Sequence, residues 1–235
     1  GSFVAATGFP GSTAATMSVA LGDVDGDGRL DVLIGNRGGA NELLLQQSDG
    51  SFAALASFPG GNAETDVVVL GDVNGDGRLD VLVGNGAYVS YSANELLLQQ
   101  NDDSLVAVPG FSAGMVDFGF NPLSVVALGD VDGDGRLDVL VGNSVGSLYS
   151  NGGGVANELL LQQSDGSFVA AAGFDTDSWA STMSVALGDV DGDGRLDVVV
   201  GNAYTEANKL MLQQSDGSFV AAAGFGSAYT RSVAL

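Results

Sequence analysis

The chain is a succession of short apolar runs separated by polar turns. No window sustains a 3.6-residue period long enough to specify a helix. Residues 184–222 show the pattern in full. The apolar run Ser184–Leu187 (SVAL) leads into an acidic loop, and Asp197–Val200 (DVVV) follows it. Lys209–Gln213 (KLMLQ) comes next, then a Ser-Asp-Gly turn at 215–217 and Ser218–Ala222 (SFVAA). Each run has strand length, and Asp-Gly between two apolar runs marks a hairpin because glycine accepts the positive φ of primed turns. The first two runs are almost purely apolar, which predicts strands covered on both faces.

The pattern recurs along the chain. DVDGDGRLD begins at Asp23, Asp130 and Asp189, with DVNGDGRLD at Asp72, so successive copies lie 49, 58 and 59 residues apart. NELLLQQ begins at Asn41, Asn94 and Asn157 and returns as NKLMLQQ at Asn208. Four strands per unit at a period near 50 residues is the pattern of propeller blades. The predicted fold is all-β, a β-propeller of four-stranded antiparallel blades at approximately 17–56, 66–108, 124–172 and 183–223. Partial strands lie at both ends (Gly1–Ala6 and Ser232–Leu235), in a single propeller or propeller segment over 1–235. The two orphan strands are an outer and an inner one and cannot pair with each other. Their free edges lead to the expectation that further repeats or copies of the chain complete the assembly.

The acidic loops are the candidate chemistry. In Asp23-Val24-Asp25-Gly26-Asp27-Gly28-Arg29-Leu30-Asp31, side-chain oxygens fall at positions 1, 3, 5 and 9, and Arg29 at position 7 offers its main-chain carbonyl. A hard Ca²⁺ ion takes six to eight oxygens, and a chain wrapping around it supplies them from alternate residues. Gly28 allows the sharp turn at position 6, and Leu30 is expected to anchor the loop in the core. The equivalent candidate ligands are Asp72, Asn74, Asp76, Arg78 and Asp80; Asp130, Asp132, Asp134, Arg136 and Asp138; and Asp189, Asp191, Asp193, Arg195 and Asp197. Four Ca²⁺ sites are expected, the second weakened because Asn74 keeps an oxygen but loses a charge. Unscreened by a cation, carboxylates about 4 Å apart repel by roughly 1–4 kcal/mol per pair.

Composition narrows the field. The net charge is −22, yet 45% of residues are hydrophobic and 15% charged, which excludes simple acidic disorder. An acidic surface argues against nucleic acid as partner. The absence of Cys and His removes disulfides, thiol or imidazole metal ligands and a histidine base. No run approaches the ~20 apolar residues of a membrane helix, so membrane insertion is not expected. Among the acids outside the loops, Asp66, Asp117, Asp175 and Asp177 show no catalytic pairing, and the chain is not expected to be an enzyme.

The loops differ from an EF-hand, in which Glu stands at position 12 and a helix follows; here position 12 is Ile34 or Val83 within a strand. With the DxDxDGxxD loop set between blade strands 1 and 2, the pattern resembles the FG-GAP repeat of integrin α-subunits and VCBS-like proteins. The Phe-Gly element stands at Phe225-Gly226 and is degraded elsewhere, as at Phe9-Pro10, Phe58-Pro59, Phe111-Ser112 and Phe174-Asp175. The resemblance implies a calcium-bearing propeller, extracellular or on the cell surface.

Copies differ mainly between strands 2 and 3, where 4, 8, 13 and 5 residues separate the flanking asparagines, and between strand 4 and the next strand 1. In a meander these connections share one face, opposite the acidic loops. Tyr88, Tyr91, Tyr149, Trp179, Tyr204 and Tyr229 fall within them and, with Arg37, are the candidate ligand face. Aromatic side chains on loops of a rigid scaffold suit recognition of a glycan or an extracellular protein; the alternative is that some fill gaps between blades. The expected function is an extracellular calcium-stabilised binding or adhesion module. The alternative is a structural repeat protein of an extracellular assembly, surface layer or appendage.

Overall fold

A computed structural model of the chain describes residues 9, 14–55, 58, 64–86, 93–109, 111, 124–144, 156–171, 174, 181–203, 206–222 and 230–234. Within them are sixteen strands in four sheets, each a meander in chain order. Blade 1 comprises β1 (Ala15–Gly22), β2 (Asp31–Arg37), β3 (Glu42–Gln46) and β4 (Phe52–Ala54). Blade 2 comprises β5 (Glu64–Gly71), β6 (Asp80–Gly86), β7 (Glu95–Gln99) and β8 (Leu105–Ala107). Blade 3 comprises β9 (Ser124–Gly129), β10 (Asp138–Asn143), β11 (Glu158–Gln162) and β12 (Phe168–Ala170). Blade 4 comprises β13 (Thr182–Gly188), β14 (Asp197–Asn202), β15 (Lys209–Gln213) and β16 (Phe219–Ala221). The protein is therefore all-β with four-stranded antiparallel blades.

Register is the same throughout. The glycine ending each first strand pairs with the aspartate opening the second, as in Gly22 with Asp31 and Gly188 with Asp197. This pairing sets the nine-residue loop at a fixed place on every blade. The second strands carry the core: Leu33, Val81, Leu140 and Val198 are fully buried. The first strands depart from the expectation of cover on both faces, since β1 is mostly exposed and β13 largely half-buried. Each first strand is its sheet's edge and has one strand neighbour, so its cover must come from the adjoining blade.

That cover is a repeated joint between first strands, β1 on β5, β5 on β9 and β9 on β13. Leu70 and Leu79 of blade 2 close over Gly22 of blade 1; a Cβ on Gly22 would lie 2.9 and 2.6 Å from their methyl carbons. Leu128 and Leu137 meet Gly71 in the same way, and Leu187 and Leu196 meet Gly129. The loop leucine thus packs across to the preceding blade, and Leu30, expected to anchor its loop in the core, is exposed. At the outer edge, Phe111 and Phe174 of the linkers pack edge-on against Phe168 and Phe219 of the following blades, at 5.4 and 5.3 Å. Among the described residues no comparable contact joins β13 to β1.

Candidate metal centre

Each acidic loop is folded by its own carboxylates. Asp23 at position 1 accepts the amides of Asp27 (2.9 Å) and Gly28 (2.8 Å), one on each oxygen. The same pair recurs at Asp72, Asp130 and Asp189. Position 3, whether Asp25 or Asn74, accepts the amide of position 5 at 3.3 or 2.9 Å. Asn74 therefore keeps the place of an aspartate. Position 5 turns back on the amide of position 7, Asp27 on Arg29 at 2.9 Å. Such turns require positive φ at both glycines of the loop, 73° at Gly26 and 85° at Gly28, and not at position 6 alone.

Position 9 does a different job. Asp31, Asp80, Asp138 and Asp197 are fully buried. One oxygen of Asp31 accepts the amide of Val24 and the other that of Gln46, both at 2.8 Å, which staples the loop's start to the end of the third strand. Burial pushes the carboxyls of Asp80 and Asp138 above the usual range, although backbone amides stabilise their ionised forms. A cation beside them would reverse that cost.

Three loops gather carboxylates closely enough to share one ion. Ligand oxygens of Asp23, Asp25 and Asp27 lie within 4.8 Å of one another, as do those of Asp130, Asp132 and Asp138, and of Asp189, Asp191 and Asp197. All donors are hard oxygens, fixed by amides that leave lone pairs free. The set fits Ca²⁺, which the aspartates of positions 1, 3, 5 and 9 would hold.

The arginine at position 7 brings more than a carbonyl. Arg29, Arg78, Arg136 and Arg195 each form an ion pair with the aspartate at position 5 of their own loop. Their Nε–H groups reach the carbonyl of the glutamine ending the third strand, as in Arg29 to Gln46 at 2.8 Å. That glutamine ties neighbouring blades: Gln99 Nε2 donates to the carbonyl of Val24, and Gln213 to that of Val131, both at 2.9 Å. Sequence reasoning passed over both side chains. Their invariance among the four copies is the signal that could have found them.

The opposite face has its own frame. The amide of Asn36 donates to Asn41 Oδ1 at 2.9 Å, and Asn36 Nδ2 to the carbonyl of Ala40 at 2.8 Å. Asn85 with Asn94, Asn143 with Asn157, and Asn202 with Asn208 repeat this clamp. It closes the neck of each variable loop whatever its length. At the far hairpin, Asp49 Oδ1 accepts the amide and hydroxyl of Ser51, and the hydroxyl above all holds that carboxyl below its usual range.

The family profile described as an FG-GAP-like repeat matches residues 23–83 and 145–200, and that of the FG-GAP repeat matches 123–156, together more than half of the chain. The chain is an FG-GAP repeat protein. No curated protein sequence matches it significantly. Among solved structures, the biofilm matrix protein Bap1 of V. cholerae is similar at 19% identity and a TM-score of 0.37; the match covers 93% of this chain and 41% of Bap1. This FG-GAP protein thus spans less than half the length of that structural relative.

The structure brings together the candidate ligands of positions 1, 3 and 5 in the first loop and of positions 1, 3 and 9 in the third and fourth, but the other expected face is divided. Arg37 is drawn into the joint with blade 2, where it pairs with Asp66 and lies 3.8 Å from Glu64. Tyr88, Tyr91, Tyr149, Trp179, Tyr204, Tyr229 and the Phe225-Gly226 element lie outside the described residues.

Proposed function

We propose that this FG-GAP protein is a non-catalytic, extracellular scaffold, stabilised by one Ca²⁺ ion per acidic loop, that presents its variable loops to a glycan or protein ligand. The observation that carries the reading is the convergence of carboxylates in loops that already hold their ligand geometry through backbone amides. Four ions would bring the formal charge from −22 to −14, and a ligand that binds only the folded state stabilises it by mass action. Such loops need calcium well above cytosolic levels, which supports an extracellular location. The experiment is a thermal melt with Ca²⁺, with Mg²⁺ and with excess EGTA. Chelation should lower the midpoint by many degrees, and Mg²⁺, which demands rigid octahedral geometry, should substitute poorly. An unchanged midpoint in EGTA would overturn the reading.

A second reading is a structural repeat protein of an extracellular assembly, surface layer or appendage, without a discrete ligand site. The identical joint from blade to blade favours it, since stacking alone needs no distinct pocket. A glycan array separates the two. Saturable binding lost in Trp179→Ala supports the ligand-binding reading, and no binding to any glycan or matrix protein supports the structural one.

A further inference from the structure

The four acidic loops differ at one position, where Asn74 stands in place of Asp25, Asp132 and Asp191, and that asparagine precedes a glycine. Asparagine is chemically labile, most of all before glycine, whose missing side chain leaves the next backbone nitrogen unshielded. The geometry of the loop suits the reaction. Asn74 and Gly75 are both exposed. Asn74 Oδ1 accepts the amide of Asp76 at 2.9 Å, an Asx turn that folds the side chain over the intervening Gly75 peptide and polarises Cγ. Asn74 Nδ2 and the Gly75 amide donate no hydrogen bond among the described residues, whereas the fourth loop engages its matching amide, Gly192 with Asp189 at 2.7 Å. The attacking nitrogen and the leaving group are thus both free.

Asn85-Gly86 is the same dipeptide in the opposite setting. Asn85 is buried in β6, its Oδ1 accepting the Thr65 hydroxyl at 3.0 Å and its Nδ2 donating to the Ala93 carbonyl at 2.7 Å. Gly86 is paired with Glu64 in the sheet. Neither the carbonyl nor the amide of that side chain can turn toward the glycine nitrogen without opening the blade.

We propose that Asn74 is a self-modification site, at which the folded second loop deamidates without an enzyme and becomes a copy of the other three. Gly75 N gives up its proton and bonds to Asn74 Cγ; the Cγ–Nδ2 bond breaks, and Nδ2 leaves with that proton as ammonia. Water then opens the resulting succinimide. Opening at Cγ restores the main chain with aspartate at 74, and opening at the main-chain carbonyl gives isoaspartate. Water is consumed, ammonia is released and the loop gains one carboxylate. With aspartate at 74 the loop reads DVDGDGRLD, as at 23–31. The deamidation does not depend on the calcium reading; its consequence does, since an added unit charge on a ligand of a divalent ion should tighten calcium at that loop by at least about tenfold.

The test is to age the full chain in EGTA, native and in denaturant, and to follow the gain of negative charge by cleavage after arginine and mass spectrometry. The three Asn-Gly pairs fall in separate fragments, Asn74 in 38–78, Asn85 in 79–136 and Asn151 in 137–195. In denaturant Asn74 and Asn85 should react at similar rates. In the native chain Asn74 should react at least about tenfold faster than Asn85, because a buried strand site reacts only when the blade opens. Asn74→Gln, whose longer side chain closes the ring poorly, should abolish the gain in 38–78. A native Asn74 as well protected as Asn85, or a gain in 38–78 that survives Asn74→Gln, overturns the proposal. Aged chain purified by anion exchange should titrate with calcium like Asn74→Asp, with one site tighter than in fresh chain. Isoaspartate as the sole product overturns the conversion to a copy of the other loops, and an unchanged titration in Asn74→Asp overturns the calcium reading of that loop while leaving the deamidation standing.

Discussion

The carboxylates of each acidic loop, four in three loops and three in the second, have one built-in cation in reach, the guanidinium at position 7. In Arg136 it pairs with Asp134 and reaches back to the Gln162 carbonyl at 3.2 Å, so it both neutralises and braces the loop. A bound Ca²⁺ competes for the same aspartate, and a unit positive charge several Å from a divalent ion costs about 1 kcal/mol in water-like surroundings. Arg136→Gln should therefore lower stability in EGTA by less than about 1 kcal/mol, the range of a half-exposed pair. It should also tighten calcium at that loop by up to about tenfold, since the main-chain carbonyl is retained. Calorimetric titration reads the affinity; weaker binding would show that the guanidinium assists the ion. A second test concerns Asp103, which adopts a φ of 63° where the other units have Gly50, Gly166 and Gly217 near 80°. Left-handed backbone costs an ordinary residue about 1 kcal/mol, less for aspartate, so Asp103→Gly should stabilise by up to about 1 kcal/mol in a denaturant melt.

At the scale of the element, the asparagine clamps make each second-to-third-strand connection a closed neck with an interchangeable insert. Loop-closure entropy grows only logarithmically, so going from the 4-residue insert after Asn36 to the 13-residue insert after Asn143 costs about 1 kcal/mol. Replacing residues 38–40 by 145–156, which keeps Arg37 in its pair with Asp66, should leave the fold intact and shift the midpoint by a few degrees at most; a large loss would mean that the inserts themselves pack the blades. Much of this frame was legible beforehand. Apolar runs such as SVAL and DVVV placed β13 and β14, and alternate aspartates placed the acidic loops between them, because both signals are local. The clamps, the Gln99–Val24 tie and the leucine-on-glycine joint were not legible, because each joins residues that only register or the adjoining blade brings together. The placing of Leu30 in the core failed for the same reason: the loop points its leucine at the blade before, a direction that no single-unit pattern encodes.

Across the whole molecule, the loops and the joints are mechanically linked. Asp138 accepts the amides of Val131 and Gln162, at 2.7 and 2.8 Å, and the Val131 carbonyl holds Gln213 of blade 4. Asp138→Ala should thus remove one calcium from the titration and destabilise by about 3 kcal/mol, since two buried amides lose their acceptor. Hydrogen exchange should quicken in blades 3 and 4 together and least in blade 1, because blades couple chiefly to their neighbours. A change confined to blade 3 would show the glutamine tie to be inert. The clamped necks have a further consequence, for descent. A unit that duplicates inherits its joint, its acidic loop and its clamp as one inseparable set, and a change in any of them is felt by the next blade. Its insert is held at the neck by its own two asparagines. Lineages of such a chain should accordingly drift in the length and composition of one face while the rest stays locked, so that each duplication adds a fresh surface for selection on an already working framework.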